Sequence, residues 1–256
     1  MNAPENIVKS ENIVKEVRAG LQHRGSDRVR ASIDRFFTPD QKVVSYGVAS
    51  PELKRMAQEL YRTVKPWPLA DRDRLCTALW KGATNEEGAL VCYVYRRFAK
   101  QCGAREFKLF TRWLDRYVKN WGHTDGLALW LLGASIANEP ALIEELDAWT
   151  RSKNRWKRRA AAVALVPSAR RGLHTRDILR IAQPLVPDGD DMVRKGVGWL
   201  LKETYPKKPG EVVRFLAPWR GKAPRLVLRY AAEKMTAADK ARVLSIPSFP
   251  SGPSGP

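Results

Sequence analysis

Apolar residues recur at i, i+3, i+4 and i+7 along most of the chain, and no run alternates with the two-residue period of a half-buried strand. The pattern divides into about a dozen amphipathic segments, at 10–25, 26–37, 50–64, 70–82, 85–102, 105–120 and 123–138 in the first part of the chain. The second part continues with 140–152, 154–170, 175–186, 190–207, 209–221 and 224–235. Several carry start signals: Ser50-Pro51 puts proline in a first helical turn, and Asn85-Glu86-Glu87 puts acids where a helix dipole favours them. The connectors are short and rich in Gly, Pro, Asn or Asp. Such a succession predicts an all-α protein, an α-solenoid or compact helical array, in one domain over 1–245. The Pro/Gly/Ser-rich end at 246–256 is expected to be disordered.

Composition narrows the class. With 256 residues and 44% hydrophobic side chains the chain can bury a substantial core. No apolar run approaches the roughly 20 residues that span a bilayer, and the first residues lack the basic-then-apolar layout of a secretory leader. Cys76, Cys92 and Cys102 have no CxxC spacing and read as buried thiols in a reducing cytoplasm, the expected location. His23, His123 and His174 form no HxH or HxxxH pair, so no metal and no cofactor is expected.

Charge changes the picture most. The formal net charge is +19, and residues 151–256 hold 23 Lys/Arg against 8 Asp/Glu, whereas residues 1–150 hold 23 against 19. A field this strong and this localised fits a polyanion, most simply nucleic acid. A merely soluble basic surface is the plain alternative. An anionic membrane fits less well, because no basic amphipathic helix shows a broad Trp/Leu face.

Three clusters could carry chemistry. In NWGHTDGLALWLLG (120–133), Asp125 follows Trp121 by four residues, which on one helix puts both on one face. Gly122 and Gly126 weaken that helix, and His123-Thr124 could cap a fresh one, so Asp125 reads either as a cap or loop acid or as a catalytic carboxylate beside an indole. In NRWKRRAAAVALV (154–166), Trp156, Lys157, Arg158 and Arg159 crowd the start of a helix, where the dipole disfavours cations. That cost fits a phosphate ligand, or a solvated basic face. In DDMVRKGVGWLLKE (190–203), Arg194 and Lys195 precede Gly196 and Gly198, which admit a close backbone or leave room beside Trp199. Trp80, Trp113, Trp130 and Trp149 read as core by their periodicity.

In this order, with RFFTPDQKVVSYGVASPELKRMAQEL ahead of them, the clusters resemble the AlkD-like DNA alkylation repair family over roughly residues 25–235. The resemblance rests on the Trp-x-x-x-Asp element at Trp121 and Asp125, the Trp-x-x-Arg-Ala-Ala helix from Trp156, and RKGVGWLLKE with Trp199. It implies a right-handed solenoid of degenerate HEAT-like helical pairs with a concave basic groove for duplex DNA. It further implies a monomeric, monofunctional DNA glycosylase that excises cationic N3- or N7-alkylated purines. Asp125 would then be the catalytic carboxylate, with Trp121 and Trp199 flanking the sugar. Arg159, with Arg158, Trp156, Arg194, Lys195 and Phe36, would contact DNA. Two departures stand out: Gly122 occupies a place where the family often has a second acid, and Phe36 the place of a common tyrosine. A non-catalytic helical-repeat DNA-binding protein is the rival reading, and a protein–protein adaptor a third.

Overall fold

A computed structural model describes residues 3–245, with side chains from residue 8 onward. The segment expected to be disordered, 246–256, lies outside the described residues. The described chain is helical, without a strand; one isolated bridge pairs Val44 with Thr84. No helix among the described residues is long and apolar enough to cross a membrane. The chain separates into two compact units, one ending at Leu142 and one beginning at Ile143. The division falls inside a 3₁₀ turn, Pro140–Glu144, rather than at a Gly- or Ser-rich linker.

The first unit contains α1 (Ala3–Arg24), α2 (Asp27–Asp34), α3 (Ser50–Val64), α4 (Leu69–Lys81), α5 (Asn85–Tyr95) and α6 (Ala104–Arg116). It closes with α7 (Trp121–Gly126), which runs through a π-helical turn (Leu127–Leu132) into α8 (Gly133–Asn138). Its centre is aromatic. Trp80, Tyr95, Phe110 and Trp113 are buried, and the Tyr95 ring meets the Phe110 and Trp113 rings edge-on at 5.4 and 5.3 Å.

The acids that open α5 do more than offset a dipole. Thr84 caps the helix by accepting from the Glu87 amide, while Glu86 reaches back some forty residues. Its buried carboxylate accepts from Ser45 Oγ and from the Tyr46, Gly47 and Val48 amides at 2.7–3.1 Å. Glu87 accepts from Arg18 Nε at 2.6 Å, which ties α1 to the same helix start. A buried carboxylate survives in a core when donors surround it as they do that of Glu86, whereas Oε2 of Glu87 is left without a hydrogen-bond partner.

The second unit contains α9 (Glu145–Trp149), α10 (Arg155–Val163), α11 (Val166–Arg170) and α12 (Thr175–Leu185). α13 (Asp191–Thr204), α14 (Pro209–Leu216), α15 (Arg225–Ala232) and α16 (Ala237–Leu244) follow. Residues 154–170, expected as one helix, are two: Pro167 has no amide hydrogen and its ring opposes the carbonyl four residues back, so the chain turns at Ala164-Leu165 and restarts. α13 is the hub, packed on α10, α11 and α15. Gly198 makes the α15 contact possible, since a Cβ there would stand 2.4 Å from Tyr230 Cβ and 3.0 Å from the Val227 carbonyl oxygen.

Candidate nucleic-acid interface and carboxylate site

The helix that carries Trp121 and Asp125 starts two residues earlier than His123-Thr124 suggested. Asn120 is its cap: the side-chain oxygen accepts from the His123 amide at 2.8 Å, and the backbone carbonyl accepts from Thr124 Oγ1 at 2.8 Å. Asp125 therefore lies within a helix, one turn beyond Trp121, and is not a cap. His123 is buried beneath them, edge-on to Trp80 at 5.1 Å, with Nε2 donating to the Asn85 carbonyl at 3.0 Å. Burial lowers its pKa from the ordinary value, against the opposing pull of that carbonyl and of Glu86. The charged form is thus disfavoured, and Nδ1 is left buried without a hydrogen-bond partner.

Exposure along this segment comes in pairs. Trp121-Gly122, Asp125-Gly126 and Leu129-Trp130 are half-exposed, and the pairs between them are buried. A four-residue repeat outruns a 3.6-residue turn by about 40° each time. The π-helical turn, closed i to i+5, takes up that excess and keeps the three pairs on one stripe. Cys92 lies beneath the stripe, 3.4 Å from where a Gly126 Cβ would be. All three cysteines are buried free thiols; burial pushes Cys92 and Cys102 up to about 12.

The Trp121 indole is fixed from the α2 end. Nε1 donates to the Phe36 carbonyl at 3.1 Å, and the ring lies 5.4 Å from that of Phe37, tilted by 40°. Phe36 meets Trp121 through its backbone, while its own ring is 68% exposed. Phe37, the actual ring neighbour, was not singled out in the sequence; the adjacent pair Phe36-Phe37 was the available signal. Trp130 departs from the expected core role. It is half-exposed, stacked on Tyr93 at 5.2 Å with the Arg96 guanidinium 5.1 Å over its ring.

In the second unit the fold brings the two basic clusters together, with the turn before α13 as their meeting point. Arg158 grips Asp188 with Nε and Nη2 at 2.7 and 3.2 Å and donates to the Ser152 carbonyl at 2.8 Å. Arg155 reaches Asp190 at 3.3 Å, and Asp190 caps α13 by accepting from the Met192 and Val193 amides. Arg159 is buried, hydrogen-bonded to the Met192 carbonyl, and its Cγ lies 3.2 Å from where a Gly196 Cβ would be. Arg194 donates to the Asp188 carbonyl and to Asp191, the latter at 2.8 Å.

These acids explain how so many cations tolerate a helix N-terminus. Trp156 is buried with Arg155 stacked 4.4 Å over it, and the Arg158 guanidinium is held by Asp188, so both contribute to the fold. Lys195 is half-exposed and forms no ion pair among the described residues. Trp199 is half-exposed, with the Arg170 guanidinium 5.8 Å over its ring. No cluster of three or more metal-ligating side chains occurs among the described residues.

Among the described residues the chain is all-helical, with arginines gathered at the starts of α10 and α13 and an acid one turn beyond an indole. The sequence model of the DNA alkylation repair enzyme family matches residues 17–235, and the chain belongs to that family. Among solved structures, the fold resembles that of a predicted DNA alkylation repair enzyme from Enterococcus faecalis, with a TM-score of 0.74 at 13% identity over 84% of this chain and 98% of that one. It also resembles AlkD2 from Streptococcus mutans, with a TM-score of 0.57 at 19% identity over 82% of this chain and all (100%) of that one. No curated protein matches the chain.

Proposed function

We propose that the protein is a monofunctional DNA glycosylase that releases N3- and N7-alkylated purines from duplex DNA, as a monomer in the cytoplasm, on the nucleoid if the cell is bacterial. The observation that carries this reading is Asp125, a half-exposed carboxylate one turn beyond an indole anchored at Phe36, in a chain of the alkylation repair family.

Alkylation at N3 or N7 leaves the purine cationic, so it can depart neutral, taking the electron pair of the C1′–N bond without being protonated. The positive charge then lies on the sugar. A carboxylate in a partly dehydrated site stabilises that charge electrostatically and orients the water that adds to C1′; the water sheds one proton and an abasic site remains. Aromatic faces such as Trp121 stabilise a developing cation by about 0.5–2 kcal/mol each. The reaction needs no cofactor. The same reading gives Arg159, Arg194 and Lys195 places at phosphates.

The test is release of N7-methylguanine or N3-methyladenine from duplex DNA, followed as free base and abasic sites. Wild type releases base, and Asp125→Asn loses at least 100-fold in rate while still binding DNA. Gly122, standing where a second acid is common in the family, favours the alternative of a non-catalytic DNA-binding protein. Intact DNA binding with no release from small or bulky adducts would establish that alternative.

A further inference from the structure

The first unit holds a cleft of about 890 Å³ bounded by α1, α4 and α6, a size typical of small-molecule sites. It has no part in the reading above. Its floor is apolar: Val14, Ala78 and Leu109 line it together with the buried indole of Trp113, whose Nε1 is satisfied by Thr77 Oγ1 at 3.0 Å. Tyr117, half-buried, stands at the rim.

The walls are cationic beyond what the fold uses. Arg18 is held by Glu87 and Arg74 by Asp71, while the one aspartate in the lining, Asp73, is bound by Arg105 and Tyr95. Lys15, Lys81, Arg112 and Arg116 also line the cleft, all four exposed, and none forms an ion pair among the described residues. Only Glu11 remains among the lining acids to oppose them. Arg112 and Arg116 are one turn apart on α6, a like-charge pair that disfavours the helix. Two guanidinium forks at that spacing suit the oxygens of neighbouring phosphoryl groups, and an ammonium group serves as a point charge beside them.

We propose that this cleft binds a phosphorylated small molecule of nucleotide size. The phosphoryl groups meet Arg112, Arg116, Lys15 and Lys81, and the organic part covers the Trp113–Leu109 floor.

Calorimetric titration of the full chain with ADP, pyrophosphate and adenosine tests each half of the proposal. ADP is expected to bind at least tenfold more tightly than pyrophosphate, and adenosine not measurably. Arg112→Ala/Arg116→Ala weakens ADP binding by at least tenfold. Arg62→Ala/Lys65→Ala, which removes the same charge from exposed positions outside the cleft, changes it by less than twofold. Equal affinity for ADP and pyrophosphate would overturn the organic half. Equal weakening by the control would reduce the effect to bulk charge. Loss of duplex DNA affinity in Arg112→Ala/Arg116→Ala would assign these cations to a DNA backbone instead.

Discussion

Arg158 closes on Asp188 across thirty residues of sequence, with Nε and Nη2 on separate carboxylate oxygens at 2.7 and 3.2 Å. The same aspartate accepts from the Asp190 amide, and its carbonyl accepts from Arg194, so one residue shapes the turn that leads into α13. Arg158→Ala leaves a mostly buried acid without its partner. It is expected to destabilise the protein by about 1.5–3 kcal/mol, read by chemical denaturation. Its salt dependence of DNA binding should match wild type. Lys195→Ala should do the reverse, with unchanged stability and a salt slope smaller by about one unit for a lost phosphate contact.

Gly122 is open to substitution. A Cβ there would meet Asn120 Oδ1 and Phe37 Cζ at 3.5 Å each, ordinary contact distances. The position lies in the first turn of α7, where a negative charge is favoured and glycine costs roughly 0.5–1 kcal/mol. Gly122→Asp should therefore raise the thermal midpoint. In the base-release assay it tests directly whether a second acid beside Trp121 quickens turnover; a lowered midpoint would show that the side chain collides beyond its Cβ.

Trp121→Phe keeps an aromatic face but loses the donor to the Phe36 carbonyl. That carbonyl closes the loop after α2, so its partner positions both the loop and the ring. Base release should fall by about tenfold at saturating DNA, with DNA affinity within twofold of wild type. A loss confined to affinity would move Trp121 from the sugar to the DNA backbone.

His123 gives the stability a pH dependence. Burial holds its folded pKa below the ordinary value, near 6.5 in the unfolded chain, so the unfolded chain binds the proton first as pH falls. Its contribution is complete above about pH 6.5 and is lost progressively as pH drops from there through the folded pKa, at no more than about 1.4 kcal/mol per pH unit. Unfolding curves between pH 7.5 and 5 should show this slope in wild type and a shallower one in His123→Asn. Parallel slopes would mean other groups carry the acid sensitivity.

Gly198→Ala should cost about 1–3 kcal/mol, because the added methyl meets Tyr230 Cβ and the Val227 carbonyl rather than the end of a flexible side chain. Differential scanning calorimetry measures it. A small effect would require α13 and α15 to separate easily.

Helix after helix was legible from apolar spacing, and Ser50–Val64 matches its expected bounds at both ends. The misses share a cause. Asn120 was hidden as a cap because two glycines and a His-Thr pair suggested later starts. The break at Pro167 was masked by an unbroken apolar pattern around it. Trp130 keeps a core-like spacing while sitting on the half-exposed stripe, since the π-helical turn alters the phase that spacing assumes. The Glu86 and Arg158 ties join residues thirty to forty positions apart, which no local pattern encodes. Trp121 and Asp125 were legible as a pair because their four-residue spacing is local.

The π-helical turn at Leu127–Leu132 also sets how this stretch can change length. It holds a residue more than an α-helix of the same rise would. Removing one residue between Gly126 and Gly133 would let a regular helix form with its flanking turns still in phase, because five residues at about 100° each turn through nearly the same angle as six in the wider π turn. Asp125 and the buried Ile136 would then keep their present directions. The segment can therefore lose a single codon with less disturbance than a regular α-helix elsewhere in the chain would suffer.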